Sequence, residues 1–206
     1  MLLDRPLRVV GFDPSLRNWG VAHGTFTGES LQIESVALAQ PVLPTGKQVR
    51  QNSLDLAAAE WLYRYAMVSV VDADAVFVEV PQGSQSARAS AAYGVVAGVL
   101  GSLRANSIPF FELTPTEVKL ATGLTKNATK EQMITWAMAQ HPNNNWPRYV
   151  RGGETKVSES KAEHMADAVA AIHAGLNLTS FKQMLKLSFP PALPNQTKES
   201  ILCSSP

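Results

Sequence analysis

The sequence predicts an α/β domain: a five-stranded mixed sheet, built from an antiparallel three-strand meander and following βα units, with helices on both faces. Three observations carry this. Up to Leu38 the chain holds three short apolar runs separated by turn residues. From Asn52 onward, helix-period segments alternate with two further apolar runs, the pattern of strands with helices packed on them. At 206 residues, 45% hydrophobic and 17% charged, the chain is long enough to bury a real core and too apolar for long disordered stretches.

The elements follow in order. Leu7 to Phe12 is apolar apart from Arg8 and reads as a buried strand ending at Asp13-Pro14-Ser15. Arg17-Asn18-Trp19-Gly20 carries turn chemistry; Val21 to Phe26 and Leu31 to Leu38 are two more strands around the turn Thr27-Gly28-Glu29-Ser30. Gln40 to Gly46 is a Pro-rich loop. Asn52 to Val71 has helical spacing, with Leu54, Ala58, Trp61, Leu62 and Tyr65 near one face. Ala75 to Val80 is a short strand stopped by Pro81, and Gln82 to Gln85 is a polar loop. Ala87 to Ala105 is a helix of small residues, whose Gly94 and Gly98 would let another backbone approach closely.

Ile108 to Leu113 is the fifth strand. Thr114 reads as an N-cap, with Pro115 at the first helical position and Glu117 at the third. A helix from Thr129 to Gln140 starts the same way. His141 to Ser158 reads as a long polar loop, followed by a helix from about Ser160 to Ala174. Residues 1–178 are expected to form the domain, and 179–206, with Pro190, Pro191 and Pro194, an extended or partly disordered tail.

Composition narrows the function classes. The single cysteine, Cys203, excludes an internal disulfide and a Cys-rich zinc site, and fits a reducing compartment. Asp4 and Arg5 interrupt the short apolar start, so no secretory signal is read. The longest apolar stretch, Ala91 to Leu100, falls short of the ~20 residues that a membrane helix needs. A soluble, cytoplasmic protein without a membrane partner is expected. No G-x-x-x-x-G-K-[ST] loop is present.

Two carboxylates stand where a strand should be apolar. Asp13 closes Val9-Val10-Gly11-Phe12, and Glu79 lies within Val76-Phe77-Val78-Glu79-Val80. Burying an ionised carboxylate alone is costly, so each needs a basic group, backbone donors or a metal. In Lys161-Ala-Glu163-His164-Met-Ala-Asp167-Ala-Val, His164 and Asp167 are three apart and share one helix face, with Glu163 at its edge. Taken singly, each has a plainer reading: a turn aspartate, a water-facing edge glutamate, a solvated helix face. Together, oxygen ligands from two strands and a helix suit hard Mg²⁺, and a pair of such ions can act on a phosphodiester.

These stretches resemble the RuvC family of Holliday-junction resolvases. Gly11-Phe-Asp13-Pro-Ser-Leu-Arg-Asn-Trp-Gly20 is similar to its first motif, and Val76-Phe-Val-Glu79 to its second acidic strand. Thr116-Glu-Val-Lys119 through Thr129-Lys130-Glu-Gln-Met, and Glu163-His164-Met-Ala-Asp167-Ala-Val-Ala, resemble its basic segment and final helix. The resemblance spans residues 7 to 175. It implies an RNase H-like fold, a homodimer, and two Mg²⁺ ions, replaceable by Mn²⁺, that nick two strands of a four-way junction and leave 5′-phosphate and 3′-hydroxyl ends. It implies that Asp13, Glu79 and Asp167 are metal-binding carboxylates, and that His164 is a ligand or proton-transfer group. Lys119 and Lys130 fall at its DNA-facing basic positions. No small-molecule cofactor is implied. Divergence after Glu79, where Val80 to Gln85 holds no aromatic, suits a phage-encoded member acting on broader branched DNA in a bacterial cell or phage-infected host.

The net charge of +1 conceals an uneven distribution. The chain up to Glu79 has six bases and nine acids, whereas Arg88 to Lys161 has nine bases and five acids. Arg88, Lys119, Lys126, Lys130 and Arg151 are the candidate phosphate contacts, with Lys126 and Lys130 flanking a helix start. Two other substrates or roles fit the same residues: an RNase H-like nuclease acting on RNA–DNA hybrid, and a catalytically silent junction-binding protein.

Overall fold

The computed structural model describes residues 5–46, 49–83 and 86–189. Five strands form one sheet: β1 (Leu7–Asp13), β2 (Trp19–Phe26), β3 (Leu31–Ala39), β4 (Ala75–Glu79) and β5 (Phe111–Leu113), in the order β3-β2-β1-β4-β5. β1 pairs antiparallel with β2 and parallel with β4; β2–β3 is antiparallel and β4–β5 parallel. The meander and the mixed sheet are therefore as the apolar runs imply, although β5 is shorter than Ile108–Leu113. Asp74 locks the β1–β4 register: its carboxylate accepts the Arg8 backbone N–H (2.8 Å) and both Arg5 terminal nitrogens (2.6 and 2.8 Å).

The strands alternate their side chains between two cores. Val10, Phe12, Trp19, Val21, Val76 and Val78 face α1 (Gln51–Val70) and α2 (Ala87–Ala105). Val9, Ala22, Ala75 and Phe77 face α5 (Glu159–Asn177), with α3 (Pro115–Ala121) and α4 (Lys130–Gln140) packed beside it. α3 and α4 start in full capping boxes, Thr114 with Glu117 and Thr129 with Gln132. No described helix is long and apolar enough to cross a membrane.

α5 lies directly on the sheet because glycines and alanines clear its path. A Cβ at Gly11 would run into the Ala168 carbonyl oxygen, one at Gly20 into the His164 carbonyl, and one at Gly175 into the Phe77 ring. On the helix side, Ala162, Ala166, Ala168, Ala170 and Ala171 are fully buried.

Three expectations are corrected. Residues 179–188 are not an extended tail: Thr179–Ser188 is a helix, α6, and Phe181 is buried among Phe26, Phe77 and Phe111 with ring centroids 5.1 to 6.5 Å away. Phe181, Met184 and Leu185 share one face of it, a helical period overshadowed in the sequence by the prolines that follow. The rest of that tail, 190–206, lies outside the described residues. The stretch His141 to Ser158 is not all loop: Trp146 is buried and donates to the His141 carbonyl (3.0 Å), and β6 (Arg148–Arg151) and β7 (Glu154–Val157) form a hairpin. Its turn, Gly152-Gly153, has φ of 62° and 80°, a geometry that favours glycine. Finally, Gly94 and Gly98 on α2 receive no second backbone among the described residues; a Cβ there meets nothing within 4 Å.

α4 is tied to α5 by two imidazoles, His141 and His173, whose Nε2 atoms are 3.2 Å apart. The Trp136 ring edge packs on His173. Burial holds both below the ordinary histidine range, and His173, with His141 beside it, is brought down to about 4. Only one proton fits between them. Stability from this pair is complete above the unfolded value near 6.5 and is lost as pH falls towards 4, because the unfolded chain takes up protons the folded one resists. Glu79 and Asp167, raised by their burial, act in the opposite sense over this range, so the pair is read by difference: between pH 7 and pH 4.5 the wild type is expected to lose melting temperature relative to His173→Gln in thermal melts.

Candidate active site

β1 and β4 run parallel with Phe12 beside Val78, so their carboxy-terminal residues Asp13 and Glu79 emerge side by side. Counting back in twos, Asp13 shares its face with Gly11 and Val9, and Glu79 with Phe77 and Ala75. That is the α5 face. α5 meets them with His164 and Asp167, one helical turn apart. The close approach at Gly20 brings the His164 backbone onto the sheet, and the His164 imidazole Nδ1 lies 2.6 Å from Asp13 Oδ2. With the proton on Nδ1, the ring donates to the carboxylate. Both side chains are largely buried, 19% and 16% exposed.

The cluster is electrostatically unbalanced. Burial, then the charges of Asp13 and Asp167, push the Glu79 carboxyl far above the usual carboxylate range, against the pull of Lys119. Burial and Asp13 push Asp167 up as well, partly offset by His164 and Lys119. For His164, burial works against the charged ring, but the hydrogen bond and charge of Asp13, with Glu163 and Asp167, raise it overall. Carboxyls that hold their protons this firmly, gathered at one place, mark a site short of positive charge.

Glu163 completes the rim. Its Oε1 is 3.6 Å from His164 Nε2 and its Oε2 is 2.6 Å from Lys130 Nζ. This pair keeps the Lys130 ammonium charged, raised first by the Glu163 hydrogen bond. An acid beside a histidine on an apolar helix was the only sequence signal for Glu163's involvement.

The structure thus brings together Asp13, Glu79, His164, Asp167, Lys119 and Lys130. It does not bring three others to them. Lys126 is exposed ahead of α4, and Arg151 is exposed on the hairpin, paired in register with Glu154. Arg88 is taken up by Asp55, at 2.6 and 2.7 Å. Asp55 itself was not anticipated, although it precedes Ala58 and Leu62 by three and seven residues on the buried face of α1.

Donor chemistry and charge fit a divalent cation: oxygen ligands in excess, with protons held where a cation belongs. Among the described residues no three of these groups form a finished metal cage, and Asp13 Oδ2 is occupied by His164.

No family model and no curated protein matches this chain. Solved structures do. RuvC of T. thermophilus in complex with a Holliday junction substrate matches with a TM-score of 0.57 and 16% identity, over 82% of this chain and 92% of that one. A Thermus thermophilus RuvC structure matches with 0.57 and 17%, over 87% and 96%. Fowlpox virus resolvase with Holliday junction DNA matches with 0.48 and 13%, over 87% and 100%. At these identities the likeness is one of fold. The domain has the RNase H-like α/β fold of RuvC.

Proposed function

We propose that this chain is a metal-dependent endonuclease that nicks branched DNA, four-way junctions foremost, leaving 5′-phosphate and 3′-hydroxyl ends. The observation that carries it is the convergence of Asp13, Glu79 and Asp167 from β1, β4 and α5 into one largely buried cluster, in which Glu79 and Asp167 are pushed towards their protonated forms. The shared fold with a protein solved on a Holliday junction supports the choice of substrate.

Asp13, Glu79 and Asp167 would hold Mg²⁺, two ions in the full site, with Mn²⁺ as a substitute. Metal held by these residues would supply an activated water and offset charge on the leaving 3′-oxygen. The protein's own groups do the rest. Asp13 fixes the His164 ring through Nδ1, which leaves Nε2 to hold or pass a proton at the rim. Lys119 faces Glu79 and Asp167 from α3, where it can meet a phosphate oxygen at the edge of the cluster. Lys130, 77% exposed while bound to Glu163, presents charge to the same strand.

Paired nicks require paired sites, and a homodimer is part of this proposal. The outward-facing Gly94, Gly98 and Gly101 on α2 offer a face on which a second copy's backbone can lie close. Gly98→Glu is expected to convert the dimer to a monomer in light scattering while the monomer keeps its folded circular dichroism spectrum, since the added side chain enters open space. A protein that acts on cellular DNA in this way belongs in the cytoplasm of a bacterial cell or phage-infected host.

The deciding experiment compares four-way, three-way, flap, linear and RNA–DNA hybrid substrates in Mg²⁺, with Asp13→Asn alongside. Symmetric nicks on the four-way junction, and a variant that binds without cutting, are expected. Cutting of the hybrid alone would select an RNase H activity. Wild-type rates from Asp13→Asn would overturn the site.

A further inference from the structure

We propose that Arg17 and Arg88, gathered on the carboxylate of Asp55, form a second phosphate-binding site, for a backbone phosphodiester of the DNA, apart from the carboxylate cluster. The proposal rests on the DNA-cleaving reading above.

Asp55 is the one buried charged residue among those described, 8% exposed. Its Oδ1 accepts from Arg17 Nη2 (3.0 Å), Gln51 Nε2 (3.0 Å) and Arg88 Nη2 (2.7 Å), and its Oδ2 from Arg88 Nη1 (2.6 Å). The Arg88 hydrogen bonds hold the carboxyl down at about 2, so it is ionised throughout the working range. One arginine would neutralise it. Two leave a positive charge over, and that excess faces water: the Arg17 and Arg88 side chains are 37% and 50% exposed, against 11% for Asp55. The carboxylate lies shallow, covered by its own partners. Arg17 Nη1 is buried without a hydrogen-bond partner among the described residues, so a ligand would meet this side chain through its exposed part.

The position is informative too. Arg17 lies in the loop that leaves β1 after Asp13, Arg88 in the first turn of α2 after the loop leaving β4 and Glu79, and Asp55 in the second turn of α1. All three stand at the end of the sheet that carries the cluster, on the face opposite α5. The first turns of both α1 and α2 lack an acidic residue. A helix start favours acids, so an arginine there is mildly unfavourable to α2 itself. Two planar guanidiniums with fixed orientation match the oxygens of a phosphodiester, and the strand lying in the cluster carries its neighbouring phosphates past this end of the sheet.

The test measures binding of a labelled four-way junction by anisotropy from 50 to 200 mM salt, in Mg²⁺ and in the Asp13→Asn background. Arg17→Gln and Arg88→Gln are each expected to weaken binding about 5–10-fold and to lower the salt slope by about one. Arg88→Lys should keep the slope and lose part of the affinity. Removing one arginine strains Asp55, so the triple change Asp55→Asn, Arg17→Gln, Arg88→Gln is measured as well; it leaves no charge stranded and should lower the slope by about two. A lower melting temperature with unchanged affinity and slope would make the triad a structural tie and overturn the proposal. A parent protein that neither binds nor cuts branched DNA would overturn the underlying reading instead.

Discussion

Glu79→Gln is expected to abolish nicking while leaving the metal-free protein at least as stable as the wild type. In most cores, altering a buried charged group damages the fold, because its partner is left unpaired. Glu79 is the reverse case. Its surroundings are apolar strand and two further carboxylates, which together outweigh the charge of Lys119 and drive its carboxyl towards the protonated form. A glutamine is nearly the same shape as that protonated acid. At pH 8, in chelator, the variant should melt at or above the wild-type temperature, since the unfolded wild type gains by releasing a proton that the fold retains. In Mg²⁺ the order should reverse: the wild type gains stability from the ion and the variant gains little. Loss of a ligand that orients the reacting groups is expected to cost about 4 kcal/mol in the transition state, or about a thousandfold in rate. Thermal melts with and without Mg²⁺, beside single-turnover cleavage, check both halves. A variant that unfolds in chelator would show that Glu79 serves the fold rather than the metal.

Gly20→Ala is expected to impair the site without touching any reactive group. A methyl on β2 at this position would meet the His164 carbonyl oxygen, carbonyl carbon and Cα, all backbone atoms that cannot rotate aside. α5 must lift from the sheet there, and His164 and Asp167 lift with it. Overpacking of this kind costs about 1–3 kcal/mol in stability. A displacement of about 1 Å between reacting groups can cost about a hundredfold in rate. Thermal melting and the cleavage rate should therefore both fall, while junction binding through the lysines persists. A variant with normal cleavage would mean that α5 need not lie this close for the site to work.

The parts of this arrangement legible in the sequence are those set by local rules. Alternation along a strand puts Asp13 and Glu79 at strand ends, and a helical period puts His164 and Asp167 on one face. Capping residues mark the starts of α3 and α4. What local rules do not carry was missed. α6 owes its place to the ring cluster of Phe26, Phe77 and Phe111, contributed by three strands distant in sequence. The hairpin β6–β7 has seven of its eight strand residues exposed, so no apolar alternation announces it. Arg88 reads as a free surface base because its partner, Asp55, is 33 residues away. The glycines of α2 read as a packing face, yet no described residue packs on them.

The hydrogen bond between Asp13 and His164 joins residues 151 positions apart, the first strand and a late helix. A growing polypeptide can form the β1–β2–β3 meander early, but it holds only part of the acidic cluster until α5 has been made and has settled onto Gly11 and Gly20. Chains that stop short of α5 are expected to carry Asp13 and Glu79 and yet cut nothing. On the proposed reading, the order in which the sequence is read withholds the complete site through most of the chain's synthesis.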